Sequence, residues 1–522
     1  MAVRGGIDLG TTYSSISWYD RYNNRVDTID LECADGAKIV RSVVYYPGPG
    51  EAPVIGETAW NAKKQFVERV IAGIKRSMGS GYRTHPIDGV EYTPPQISAE
   101  ILKVLAHDAE VFLGEQVRDV VVTVPAYFGD NERAATEEAG KLAGLNMLAT
   151  LPEPHAAALA FAIDKVATIA DKHLLVYDLG GGTFDVTLIH AKSEPSAANG
   201  IGLSIDTLCK DGNASLGGLD WDRALAEIVA EKAMQSFGVD VWQDPKNEAT
   251  LLDNCEKAKR HLSKTNSVSV VADLANHAVE VSRSEFEART SPLLLQTEML
   301  LDKVLEDAQK QHGVGVAGID VLLTGGSSKM PMVRQMIQAK IGKPPLQHGN
   351  PELLVTIGAA YWAYLLEGGT ITKQIPDQAG VPQPTQIAVK PGGITDISAY
   401  DVGIEVLRPD SQGKLAPFNL VLLNTGARYG ETVDREFRVA EDGVTEVNIV
   451  LYKGGSNDIG QCEQLMTFTI SGLPSGRRKG APVKVTLGYD SSGILRGKAV
   501  DVMTGREAEI VVDRSKAVSF AA

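Results

Sequence analysis

The sequence predicts an α/β pair of lobes over roughly residues 1–370, followed by an all-β sandwich over 397–515. Three observations carry that expectation. One short motif occurs around Asp8 and again around Asp178, strand-like and helical segments alternate through the first two thirds, and period-two patterning takes over beyond residue 396.

Residues 7–18 read IDLGTTYSSISW and residues 177–189 read YDLGGGTFDVTLI. Each has an apolar lead-in, Asp-Leu-Gly, a Gly/Thr turn, and a β-branched run able to return as a second strand. The separation far exceeds the period of a solenoid repeat, so a duplicated domain fits better. Between the echoes, VVVTVPAYF at 120–128 reads as a strand bounded by proline. GDNERAATEEAGKLAGL then reads as a helix with Asp130 or Asn131 as N-cap and Gly144 as its stop. VLLTGG at 321–326 is a short strand meeting a Gly-rich turn, and a helix follows with Pro331 near its first position.

Residues 371–396, rich in Pro, Gly and Gln, read as a linker. Beyond it Thr445, Val447, Ile449 and Leu451 alternate with Glu446, Asn448, Val450 and Tyr452, and Val483, Val485, Leu487 and Tyr489 alternate with Lys484, Thr486, Gly488 and Asp490. A tail covers 516–522.

Composition narrows the function. With 522 residues the chain exceeds one hydrophobic core. Its 51 basic residues against 66 acidic give a net charge of −15, which argues against a general nucleic-acid or anionic-membrane surface. No apolar run is long enough to span a bilayer, and the N-terminal stretch turns polar too early for a signal peptide. Cys33, Cys209, Cys255 and Cys462 are scattered, without zinc spacing or a disulfide framework. A reduced cytoplasm is the expected location.

The paired Gly/Thr turns suit a phosphate chain. Glycines let backbone N–H groups approach phosphate oxygens with no Cβ in the way. Asp8 and Asp178, at the ends of adjacent strands, would give Mg²⁺ the one or two carboxylates it takes besides water and phosphate. A single DLGTT would as readily be a hairpin turn with a capping aspartate; two copies favour the site. Neither segment contains a P-loop.

IDLGTTYS, TVPAYF, EPHAAALA, YDLGGGTFDVTLI, SLGGLDWD, CEKAKRHLS, LLTGGSSKMPMV and NPELLVTIGAA follow one another in an order that resembles the 70-kilodalton heat-shock chaperones of DnaK type. The resemblance covers nearly the whole chain. It implies an actin-like ATPase of two ribonuclease-H-like lobes, lobe I over about 1–175 and lobe II over about 176–350, with a closing helix at 351–368 and a peptide-binding sandwich after it. ATP or ADP with Mg²⁺, and K⁺ as a further cation, are the implied cofactors.

By motif, Asp8, Gly10, Thr11, Thr12 and Tyr13 form the first phosphate loop, and Asp178, Gly180, Gly181, Gly182, Thr183 and Asp185 the second. Lys75 matches the lysine that orients the attacking water, and Glu153 the carboxylate near metal and water. Taken alone, Lys75 reads as a surface lysine and Glu153 as a helix-opening acid. Gly217 and Gly218 match residues at the phosphates. Glu256, Lys259, Arg260 and Ser263 fall on one helix face, which in the family grips adenosine. Gly325, Gly326 and Ser327 close the adenine pocket, beside Lys329 and Glu352. Pro125 and Arg133 match the pair that relays nucleotide state between domains. By position Ile404, Leu407, Phe437 and Val447 form the peptide pocket, with plain sandwich core as the other reading.

The sequence also departs from the family. The leucine-rich linker is replaced by QIAVKPGGITDISAY, the expected member has no helical lid, His155 stands for threonine, Lys329 for arginine and Glu352 for aspartate, and 264–285 is shortened. The implied activity is slow ATP hydrolysis that drives binding and release of extended polypeptides. A nucleotide-switched module for one dedicated client is the alternative, and an actin-fold sugar kinase or filament protein is a third reading that leaves 397–515 unexplained. A J-domain co-chaperone and an exchange factor are the implied partners, both put in doubt by the altered linker and the short 264–285 segment.

Overall fold

The computed structural model describes residues 3–79, 85–196, 200–366, 368–376, 381–409, 413–490 and 493–511. The chain divides into two compact units, residues 1–128 with 135–394, and residues 129–134 with 395–522. Among the described residues no helix is long and apolar enough to cross a membrane.

Two six-stranded sheets organise the first unit. One runs in the order Asn146–Pro152, Val117–Val124, Val3–Leu9, Tyr13–Asp20, Arg25–Thr28, with Val40–Arg41 also pairing to Tyr13–Asp20. The other runs Ile319–Thr324, Asp171–Leu179, Phe184–Ser196, Gly200–Asn213, Pro382–Thr395, Ile371–Pro376. The sequence echo is repeated in topology. In each sheet the aspartate-bearing strand has a parallel neighbour on one side and its own antiparallel return on the other. Val120, Val121, Val122 and Val124 are all fully buried, the near-continuous apolar run of a strand covered on both faces.

Helix Glu153–Asp164 is buried along almost its whole length and packs against helix Leu354–Leu365. The crossing depends on Gly358, where a Cβ would stand 1.8 Å from the Ala156 carbonyl oxygen. No other residue allows that approach.

The reading of 371–396 as a linker is overturned. Ile371–Pro376 and Pro382–Thr395 are antiparallel strands that extend the second sheet. Ile371 and Ile387 face each other in register and are both fully buried, which supplies the apolar anchor. Pro376 and Pro382 fall at strand ends, where a missing donor costs least. The shortened 264–285 segment keeps a hairpin, Ser267–Val271 with Ala278–Ser282.

In the second unit, residues 395–511 contribute two four-stranded antiparallel sheets: Leu415–Leu423, Val402–Pro409, Val447–Lys453, Glu463–Ile470; and Thr432–Arg438, Pro482–Tyr489, Leu495–Asp501, Glu507–Val511. Ile449 and Leu451 from the first, and Val483, Val485, Leu487 and Tyr489 from the second, share one core.

Candidate nucleotide site

The two Gly/Thr turns meet. A Cβ on Gly181 would stand 1.9 Å from Thr12 Oγ1, and one on Gly182 would stand 2.4 Å from Thr11 Cγ2. Bare backbone is what lets the loops touch; Gly10 N–H donates to Ser14 Oγ at 3.2 Å and Gly180 N–H to the Thr183 carbonyl at 3.1 Å, which holds each turn in shape. Helix Gly218–Phe237 begins against the second loop, with Gly218 N–H donating to the Gly180 carbonyl at 2.9 Å and Leu219 N–H to that of Gly181 at 2.8 Å.

Around the loops lies a cleft of about 450 Å³. Asp8, Gly10, Thr11, Thr12, Tyr13, Lys75 and Glu153 line it, as do Asp178, Gly180, Gly181, Thr183 and Gly218. Glu256, Lys259, Arg260, Ser263, Gly325, Gly326, Ser327, Lys329 and Glu352 complete the lining. Gly182 and Gly217 are not on it; they pack behind, where a Cβ on Gly217 would stand 2.6 Å from Gly182.

Acid and base groups converge at the floor. Lys75, 5% exposed in a short turn of helix, donates to Glu153 at the start of helix Glu153–Asp164. Burial works against the Lys75 ammonium, yet Glu153, Asp8 and Asp178 together hold its pKa above the ordinary value. Burial, reinforced by Glu153, pushes the Asp8 carboxyl up to about 7, against a hydrogen bond from Thr123. Asp178 is raised well above its ordinary value by burial, with Glu153 and Asp185 adding repulsion. Asp185 rises to about 7 for the same first reason, then through Glu153.

The raised carboxyls of Asp8, Asp178 and Asp185 make a site short of positive charge. A hydrated dication fits that deficit, and Asp8 and Asp178 are the residues that would hold it.

At the far end, Lys259 Nζ donates to the Gly218 carbonyl at 2.8 Å and pairs with Asp222 at 2.9 Å. Glu256 takes Arg260 Nε at 2.5 Å, and Lys329 Nζ donates to Glu352 at 2.6 Å.

Asp222 also lines the cleft, and sequence reasoning missed it; it lies four residues beyond Gly218 on the helix that the motif opens. Arg76 was missed as well. It donates to the Gly182 carbonyl and to Asp220, both at 2.7 Å. Its position next to Lys75 was the available signal. His155 is fully buried and shares a 2.9 Å hydrogen bond with Thr207.

Pro125 falls in the first unit, its carbonyl accepting from Phe128 N–H at 3.1 Å. Arg133 clusters with the second, buried, with Nη2 at 3.4 Å from Asp396 Oδ2.

The four residues assigned by position to the peptide pocket differ in exposure. Ile404 and Leu407 lie on one strand at odd spacing, so their side chains point to opposite faces. Ile404 is 3% exposed in the sandwich core and Leu407 is 48% exposed. Phe437 and Val447 are half-buried against that core, on different sheets.

The Hsp70 protein family model matches residues 84–521. A chaperone protein DnaK of Thermotoga petrophila is 35% identical over 522 residues, covering 97% of this chain and 80% of the relative. One from Thermosipho africanus is 35% identical over 521 residues, covering 97% and 79%. The chain belongs to the Hsp70 family, among its DnaK-like members.

Proposed function

We infer that the protein is an ATP-dependent chaperone that hydrolyses ATP in the first unit and binds extended polypeptide segments with the second. The observation that carries this reading is the meeting of the two mirrored Gly/Thr turns over one acidic, lysine-bearing floor. The matched topology of the two six-stranded sheets supports an actin-like ATPase of two ribonuclease-H-like lobes.

Phosphoryl transfer is mostly positioning and charge stabilisation, and this cleft offers both. Backbone N–H groups of Thr11, Thr12 and residues 181–183 would bind the phosphate chain. Lys75, anchored by Glu153, would orient water and balance charge developing on the transferred group. Glu153 would hold a proton-accepting position beside that water. Asp8 and Asp178 would hold Mg²⁺, which would supply neutralisation of phosphate charge. Glu256, Lys259, Arg260 and Ser263 would grip adenosine, with Gly325, Gly326, Ser327, Lys329 and Glu352 closing over the base.

Clients are extended polypeptides, and a J-domain co-chaperone and an exchange factor are the proposed partners. Pro125 and Arg133 are the proposed relay. An extended peptide on a sandwich is held by backbone hydrogen bonds and a small apolar pocket; Leu407, Phe437 and Val447 remain candidates for it.

The test is the dissociation rate of a fluorescent peptide, measured with ATP and with ADP. The reading expects release at least about tenfold faster with ATP. Equal rates would refute nucleotide-controlled binding.

A further inference from the structure

Strand Val3–Leu9 and its antiparallel return Tyr13–Asp20 carry the first Gly/Thr turn at one end. At the other end, where Gly5 pairs with Trp18, a second cavity of about 440 Å³ opens in the first unit. Trp18, Tyr19, Arg21, Tyr22, Glu115 and Tyr364 line it, and it shares no lining residue with the nucleotide cleft. Its volume is within the range of small-molecule sites. Four of these six side chains are aromatic, in a chain whose aromatic share is 6%. The nucleotide reading gives this cavity no task.

The walls are held in place. The Tyr19 and Tyr364 rings stack with centroids 4.0 Å apart and planes inclined by 15°. Their hydroxyls are engaged elsewhere, Tyr19 donating to Asn24 and Tyr364 to the Thr370 carbonyl at 3.5 Å. The Arg21 guanidinium lies 5.5 Å from the Tyr364 ring centroid. Buried Asp20 orders the turn that follows it, accepting from Tyr22 N–H at 2.8 Å and from Asn23 N–H at 3.1 Å. Tyr22 therefore stands at the rim, 99% exposed, on a fixed backbone. The Trp18 indole nitrogen is buried and has no acceptor among the described residues. Such orphaned donors are rare in folded proteins, and this one marks a place where an outside oxygen would be stabilising.

We propose that this cavity binds a small aromatic molecule carrying an anionic oxygen group, a carboxylate or a phosphate. The ligand ring would lie against Trp18 and Tyr22, where offset stacking adds to the area removed from water. Its oxygens would face the Arg21 guanidinium, whose planar fork matches carboxylate and phosphate alike, and the Trp18 N–H. Against Arg4, Arg21 and the Trp18 N–H, all donors, the lining sets one carboxylate, Glu115. Arg4 pairs with Asp119 at 3.6 Å, so the selection of an anion falls to Arg21. A ligand cation, which aromatic walls alone would attract, is disfavoured by the two guanidinium groups.

The experiment titrates the isotope-labelled full chain with benzoate and with phenyl phosphate, at matched ionic strength. Mg·ADP is present in excess, so that a probe phosphate does not lodge in the nucleotide cleft. The readout is the indole N–H resonance of Trp18, assigned among the five tryptophans by its loss in Trp18→Phe. Expected is a saturable shift with a Kd below about 5 mM for at least one probe, weakened at least about fivefold in Arg21→Ala. Arg21 is exposed on its turn, so that variant keeps the fold. Tighter binding of phenyl phosphate identifies a phosphate-bearing ligand and tighter binding of benzoate an aromatic acid; either supports the site. No shift of the Trp18 resonance up to about 50 mM of either probe overturns it. So does equal affinity for uncharged benzyl alcohol, or an unchanged affinity in Arg21→Ala.

Discussion

Thr123 donates a hydrogen bond of 3.0 Å to Asp8. Thr324 stands opposite Asp178 on the parallel neighbour of the other sheet, and its hydroxyl favours the ionised Asp178. The duplication thus extends from the loops to the threonines that tune their carboxylates. Asp8 is pushed to about 7 by burial and Glu153, and Thr123 opposes that rise. Thr123→Val should move Asp8 higher still. Binding of Mg·ATP, measured by calorimetry from pH 6 to 9, should weaken as pH falls through about 7 in wild type, and at a higher pH in the variant.

Asp185 gives a stability signature in the nucleotide-free protein. Its folded pKa of about 7 lies above the ordinary 3.8, so the folded state binds its proton more tightly than the unfolded state. The associated stability is present below pH 3.8 and is lost as pH rises to about 7. Asp185→Asn should therefore melt at a higher temperature than wild type at pH 8. The difference should shrink steadily toward pH 4, as followed by thermal denaturation.

The touching loops predict a coupled pair. Gly181→Ala pushes a methyl into Thr12, and ATP affinity should fall at least about tenfold. Adding Thr12→Ala should recover part of the loss, because the clash is with that side chain. A double-mutant cycle with an interaction above about 0.5 kcal/mol is the expected result.

In the sandwich, Ile404→Ala should cost about 2–5 kcal/mol in urea unfolding of the second unit's transition, the price of an emptied core site. Leu407→Ala should cost less than about 1 kcal/mol, as its side chain is half in solvent. Equal costs would contradict the assignment of opposite faces.

Much of this was legible in the chain. The Asp-Leu-Gly echo carried both the duplication and the floor of the cleft, since glycine spacing reports backbone approach directly. Period-two alternation at 447–451 and 483–489 carried the sandwich, because half-buried strands print their pleat on the sequence. The hairpin at 371–395 was not legible, because its prolines read as breakers until Ile371 and Ile387 are seen paired and buried. The aromatic cavity was hidden for another reason. Tyr19 and Tyr364 come from opposite ends of the first unit's sequence, and no local pattern reports their stacking.

Lys75, held by Glu153, is proposed to act on the phosphate chain of ATP bound between the two loops. Single-turnover hydrolysis of bound ATP by wild type and Lys75→Ala, with nucleotide affinity measured alongside, tests it most directly. The account predicts affinity within a few-fold and hydrolysis slower by at least about a hundredfold. Equal hydrolysis rates in the two proteins would contradict it.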